Sequence, residues 1–146
     1  MSGARPQRVD NPRPLNDRKI VYLACPYTHP DKKVREERFQ AATHAAAQLI
    51  NSGLIVYSPI TMTHPLDLVM GGGTETLGSE YWVAFDEAFM DFCSEMVVLQ
   101  IKGWDESEGI RREIEYFLAK AKPIRFLNPN GPSKQNMRQQ SATIRK

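Results

Sequence analysis

Read for the spacing of its apolar positions, the chain alternates short extended runs with helical stretches between residues 20 and 128. KIVYLA (19–24) is a brief β-branched apolar run that halts at Cys25-Pro26, as a buried strand does. KKVREERFQAATHAAAQLINSG (32–53) is alanine-rich and ends on Gly53, which predicts a helix with its stop signal. LIVYSP (54–59) reads as the second strand. Residues 60–78, ITMTHPLDLVMGGGTETLG, hold no lasting period, and their glycines and proline predict a loop with room for one helical turn. SEYWVAFDEAFMDFC (79–93) has helical spacing, EMVVLQI (95–101) is a third strand, SEGIRREIEYFLAKA (107–121) a helix and PIRFL (123–127) the last strand. This order predicts one Rossmann-like (flavodoxin-like) three-layer α/β domain around a small parallel sheet of about four to five strands. In such sheets ligands gather at the carboxyl ends of the strands, near the switch in strand order. The loops 25–31, 58–78 and 102–107 should meet there.

Composition adds little to that picture and charge adds more. At 146 residues, 41% hydrophobic and 25% charged, the chain suits a single soluble domain with one core. No apolar run approaches the roughly 18 residues of a membrane span, so no membrane partner is expected. Residues 1–19 lack the apolar core of a signal peptide, and a cytoplasmic protein is the expectation. Cys25 and Cys93 suggest neither a metal site nor a disulfide framework. The net charge of +2 conceals an asymmetry: residues 1–19 carry +3 and residues 130–146 carry +4, which leaves the body at −5. Residues 1–18 and 129–146 therefore read as poorly ordered basic tails around a domain at 19–128. Tails of this kind can touch nucleic acid weakly, but an acidic body argues against a dedicated nucleic-acid face.

Helical position separates two acids from the rest. At about 100° per residue, Trp82, Phe85, Phe89, Met90 and Cys93 share one stripe of helix 79–93, and Asp86 falls inside it. Glu87 and Asp91 lie on the outer face. A carboxylate pointed inward needs a hydrogen-bond partner, a raised pKa or a chemical role. In helix 107–121 the stripe is Ile110, Ile114, Phe117, Leu118 and Ala121. Arg112 and Glu115 lie well outside it, whereas Glu113 sits about 60° from Ile110, at the stripe's edge and near the third strand's carboxyl end. That geometry suits either a cleft margin or a plain surface.

Other candidates carry two readings each. Ser107 and Gly109 open the last helix, where free N–H groups and a hydroxyl make an anion site; simple capping, with Asp105 and Glu108 as a capping box, is the competing reading. MGGGTE (70–75) lacks the lysine and preceding strand of a phosphate loop. YLACPYTHP (22–30) places Tyr22 in a strand and Pro26, Tyr27, Thr28 and His29 after it. These, with His64, Trp82 and Trp104, are as compatible with packing as with substrate contact, although the tryptophans could stack on a planar base. His29, His44 and His64 are too scattered to suggest zinc. Arg38 lies on the inner side of its helix, positioned to reach an acid or a substrate anion.

Together these residues resemble the nucleoside 2-deoxyribosyltransferases and their relatives, the 2′-deoxynucleoside 5′-phosphate N-hydrolases. YLACPY resembles the family's first-strand motif of tyrosine, leucine, alanine, glycine, proline and an aromatic. SEGIRRE resembles its serine-x-glycine-x-x-x-glutamate motif, and Asp86 matches the family's second acid. The likeness spans residues 20–127, and the Gly103-Trp104 pair before the serine motif suggests a separate branch. It implies that Glu113 is the nucleophile, that Tyr22 orients it and that Asp86 handles the leaving base or a sugar hydroxyl. Ser107 and Gly109 would contact the sugar or its phosphate, with Pro26, Tyr27, His64, Trp82 and Trp104 around the substrate. The implied partners are a nucleoside or nucleotide and further copies of the chain, since family members are homo-oligomers. No metal or organic cofactor is required. Cys25 in place of the first-loop glycine, and Ile114-Glu115 where a glycine usually follows the glutamate, put substrate identity in question. A non-catalytic nucleotide-binding or sensor domain on the same scaffold is the alternative.

Overall fold

The computed structural model describes residues 18–70 and 77–130. Most of both basic tails, and most of the MGGGTE run, lie outside the described residues. The elements run β1 (Ile20–Ala24), α1 (Lys32–Asn51), β2 (Ile55–Tyr57), α2 (Pro59–Val69), α3 (Ser79–Met90), β3 (Glu95–Leu99), α4 (Glu108–Ala119) and β4 (Ile124–Leu127), with a 3-10 turn at Trp104–Glu106 before α4. All four strands are parallel, in the order β2-β1-β3-β4. This is the Rossmann-like, flavodoxin-like α/β domain. The chain leaves β1 toward one edge and returns past it to β3, so the switch point lies between β1 and β3.

Alternation along the strands sorts the core into two layers, because successive side chains point to opposite faces. Val21, Leu23 and Cys25 of β1, with Val97 and Leu99 of β3, pack under Ala42, Ala45, Ala46 and Leu49 of α1. Tyr22 and Ala24, with Met96, Val98, Ile124 and Phe126, face Met90, Cys93, Ile110 and Phe117. Alanines on α1 let that helix sit close to the sheet; Asp31 caps its start by accepting from Lys33 N at 2.9 Å. Gly53 ends it at φ +101°, a left-handed turn that glycine adopts without steric cost.

The stretch expected to be a loop at 60–78 is instead helical from Pro59 to Val69. Pro59 occupies the first turn, where its missing N–H costs nothing. Ile60 and His64, one turn apart, are the positions this helix buries beyond Pro59. A histidine in the buried stripe and Pro65 inside the helix hid the period from a hydrophobicity reading. At the other end of the chain, Leu118 and Ala121 leave the expected stripe. Leu118 is exposed, and Ala121, at φ 56°, lies beyond the helix end. Among the described residues no helix is long and apolar enough to cross a membrane.

Candidate active site

Tyr22 stands in the middle of β1, fully buried, its ring 6.0 Å from Tyr57 and 5.7 Å from Phe117. Its hydroxyl donates to Oε2 of Glu113 at 2.8 Å, across 91 residues of sequence. Glu113 reaches that position from the second turn of α4, between Ile110 and Phe117, which anchor the helix to the sheet. Burial pushes its carboxyl up to about 8; the Tyr22 hydrogen bond opposes the shift, the Asp86 charge adds to it and Arg112 opposes it.

Asp86 approaches from α3. It is half-buried, as its place in the apolar stripe requires, and it has no hydrogen-bond partner among the described residues. Among the described residues no capping or loop-tethering bond to Asp86 is seen. Burial pushes its carboxyl up to about 6, with Arg112 pulling the other way. Between about pH 6 and about pH 8 the two acids thus hold a single proton, which resides mainly on Glu113.

A run of aromatic rings leads from α3 to the sheet. Tyr81, Trp82, Phe85 and Phe89 run along α3 in successive ring contacts, and Phe89 lies flat on Tyr57 at 4.4 Å and 10°. Tyr57 is the register partner of Tyr22 on the neighbouring strand. Its hydroxyl is buried and has no hydrogen-bond partner among the described residues. Reading the sequence passed over Tyr57, because one tyrosine ending a strand looks like packing. It passed over Arg112 as well: exposed on α4, it is the cation facing both acids. Arg112 also lines a groove of about 420 Å³ between α3 and α4 with Glu80, Val83, Ala84 and Glu87.

The other expected contacts are distributed differently. His64 is buried on the opposite side of the sheet and is spoken for: Nε2 donates to Glu36 Oε1 at 2.9 Å and Nδ1 accepts from Tyr27 at 2.6 Å. The carboxylate of Glu36 can only accept, so it fixes this tautomer. Phe39 stacks on the imidazole at 4.5 Å. Neither His64 nor the Tyr27 hydroxyl is free for a substrate in this arrangement. Pro26 is fully buried and packs. Trp104 lies against Phe126 at 5.4 Å as part of the core, so it is not an open stacking platform; Trp82 belongs to the aromatic run of α3.

Ser107 is the N-cap of α4, its Oγ accepting from Ile110 N at 3.2 Å, in place of the Asp105–Glu108 box. A Cβ at Gly109 would meet only Ser107 Oγ at 3.7 Å, so packing within the chain does not demand glycine there. Cys25 packs toward α1, with its thiol pushed up to about 12 by burial. Arg38 meets carbonyls rather than an acid: Thr28 O at 3.1 Å and Lys102 O at 3.5 Å. It ties the loop after β1 to the loop after β3. Gly103, at φ +94°, makes room, since a Cβ there would come within 2.6 Å of the guanidinium. Among the described residues no group of three His, Cys, Asp or Glu side chains could hold a metal ion.

Compared with known proteins, residues 19–128 match the family model described as a domain of unknown function, DUF1937. No curated protein matched the chain.

Proposed function

The chain belongs to the DUF1937 family, and we propose that it cleaves or transfers the N-glycosidic bond of a (deoxy)nucleoside or its 5′-monophosphate, with Glu113 as nucleophile. The observation that carries this reading is the Tyr22–Glu113 hydrogen bond at 2.8 Å, with half-buried Asp86 near enough for its charge to act on Glu113. The likeness to the nucleoside 2-deoxyribosyltransferases supplies the substrate class. Attack uses the minority form in which the shared proton has passed from Glu113 to Asp86. Glu113, then ionised and held by Tyr22, attacks C1′ from one face of the sugar, and the bond to the base breaks with its electron pair going to the base nitrogen. Asp86 passes its proton to the departing base. Water, or a second base, then releases the sugar from Glu113, which is the logic of retaining glycosidases.

The test is a screen of nucleosides and 5′-monophosphates for free base, followed by Glu113→Gln. Loss of at least about 1,000-fold in base release is expected, as for removal of a covalent nucleophile. Wild-type turnover in that variant would refute the mechanism. Binding without base release by the wild type would favour the non-catalytic nucleotide-binding reading.

The same proposal includes a homo-oligomer, at least a two-fold symmetric dimer, with residues 60–78 or the 79–93 helix region at its interface. Met62, Leu66, Leu68, Val69 and Met70 are exposed at the outer side and end of α2, an apolar surface that suits an interface. Light scattering at micromolar concentration should give at least about twice the chain mass of 16.6 kDa. A monomer mass with full activity would exclude the dimer.

A further inference from the structure

Arg38 points its planar fork at backbone rather than at an acid. It sits one turn before Ala42, the residue of α1 packed deepest against the sheet, so its side chain leaves from the sheet-facing stripe of the helix. Because α1 begins where β1 ends, that stripe carries the guanidinium out over the carboxyl ends of the strands. There Nη1 donates to Thr28 O at 3.1 Å, and Nη2 donates to Lys102 O at 3.5 Å, 64 residues further along the chain. The loop after β3 is shaped to receive it: Gly103 adopts φ +94°, and a Cβ there would stand 2.6 Å from Nη2. Arg35, one turn earlier on α1, donates to His29 O within the first loop. Arg38 is the side chain that crosses from one loop to the other.

The two loops joined in this way lead to the two halves of the candidate site. Thr28 follows the strand that carries Tyr22, and Lys102 precedes the helix that carries Glu113. Beyond Lys102 the chain has little slack. Trp104 N donates to Ile101 O at 3.0 Å, Glu106 N to Gly103 O at 3.2 Å, and Arg111 N to Ser107 O at 3.0 Å. A displacement of Lys102 is therefore passed on to the start of α4. The Tyr22–Glu113 hydrogen bond joins the same two segments on the α3–α4 side of the sheet, and Arg38 joins them on the α1 side. Between the two ties lies the switch point of β1 and β3, the crevice where such sheets take their ligands. A planar guanidinium fixes the spacing of two acceptors, which a single flexible ammonium does not. We propose that Arg38 is a positioning residue that sets the width of this crevice, and so governs how tightly a substrate is held without touching it. The identity of that substrate rests on the glycosidic reading; the clamp between the loops does not.

The experiment measures base release against substrate concentration for the full chain, Arg38→Lys and Arg38→Ala, on nucleosides and on 5′-monophosphates. KM should rise by about tenfold in both variants and on both kinds of substrate, with kcat within about threefold of the wild type. The pH limbs should stay in place, because Tyr22 still holds Glu113. Arg38→Lys keeps the charge and most of the stem, so a KM that stays high in it assigns the effect to the fork. Rescue by lysine, with the loss confined to 5′-monophosphates, would make the guanidinium a phosphate ligand and overturn the clamp. Unchanged kinetics, or a fall in kcat with displaced pH limbs, would overturn it as well. Amide hydrogen exchange without substrate reads the clamp directly. In Arg38→Ala, residues 27–31 and 101–106 should both exchange about tenfold faster while β1 and β3 keep their protection, and Arg35→Ala should quicken the first loop only. If no substrate yields free base, the glycosidic reading fails and exchange alone judges the clamp. Quickening of one loop only in Arg38→Ala, or of neither, would then overturn it.

Discussion

Two polar clusters flank the sheet, one on each face, and they are built to opposite rules. On the α1 face, Tyr27, His64 and Glu36 form a closed chain in which both ring nitrogens are paired and the imidazole is covered by Phe39. On the α3–α4 face, two carboxyls share a site with one hydrogen bond between Tyr22 and Glu113, while Asp86 and the Tyr57 hydroxyl have no hydrogen-bond partner among the described residues. The first cluster spans residues from three segments and joins them at little electrostatic cost. The second holds acids against their preference, as the upward shifts of both show. Satisfied networks stabilise a fold; unsatisfied, mutually repelling acids in a pocket are a mark of chemistry.

The largest expected contrast is in pH dependence. The proposed reaction needs Glu113 ionised and a proton on Asp86, so only the singly protonated pair is active. The kcat/KM profile should be bell-shaped, with limbs near about 6 and about 8 and a fall of about tenfold per pH unit outside them. Asp86→Asn should lose the alkaline limb, and its acidic limb, now set by Glu113 alone, should move up from about 6 toward about 8, at a lower plateau. A flat profile in the wild type between pH 5 and pH 9 would contradict the shared proton.

Stability should divide the two clusters next. The folded-state pKa of Glu113 is raised, so the native state binds the extra proton between the unfolded value of 4.5 and about 8. Stability is therefore lost as pH rises through that window, by roughly 2–4 kcal/mol after allowing for partial exposure. Glu113→Gln should flatten this slope and exceed the wild type at pH 9 in urea denaturation. The same slope in both proteins would place the strain elsewhere.

His64→Ala should move stability the other way. It leaves a cavity on Phe39 and strands the Tyr27 hydroxyl and Glu36, for a loss of about 2–3 kcal/mol at pH 7. If the variant melts like the wild type, the closed network contributes nothing to the fold, and the comparison between the faces collapses.

Local pattern was enough for most of the architecture. Strands of three to five residues with β-branched runs, helices with stop residues, and their alternation are near-neighbour properties, and they determine the parallel α/β domain. Helical phase likewise turned Asp86 inward and put Glu113 at a stripe's edge, because phase is set by the 3.6-residue repeat alone. Phase also has limits: α2 was hidden because its buried stripe contains a histidine, whose acceptability depends on Glu36 and Tyr27 from other segments. Only the tertiary structure decided that Tyr22 touches Glu113 across 91 residues. The same holds for His64, whose two partners come from other segments, and for Arg38, which meets two loop carbonyls and no acid. The Tyr57 hydroxyl belongs here too: a partner, or the lack of one, is a relation between distant segments, and it exists only once the sheet has brought β1, β2, α3 and α4 together.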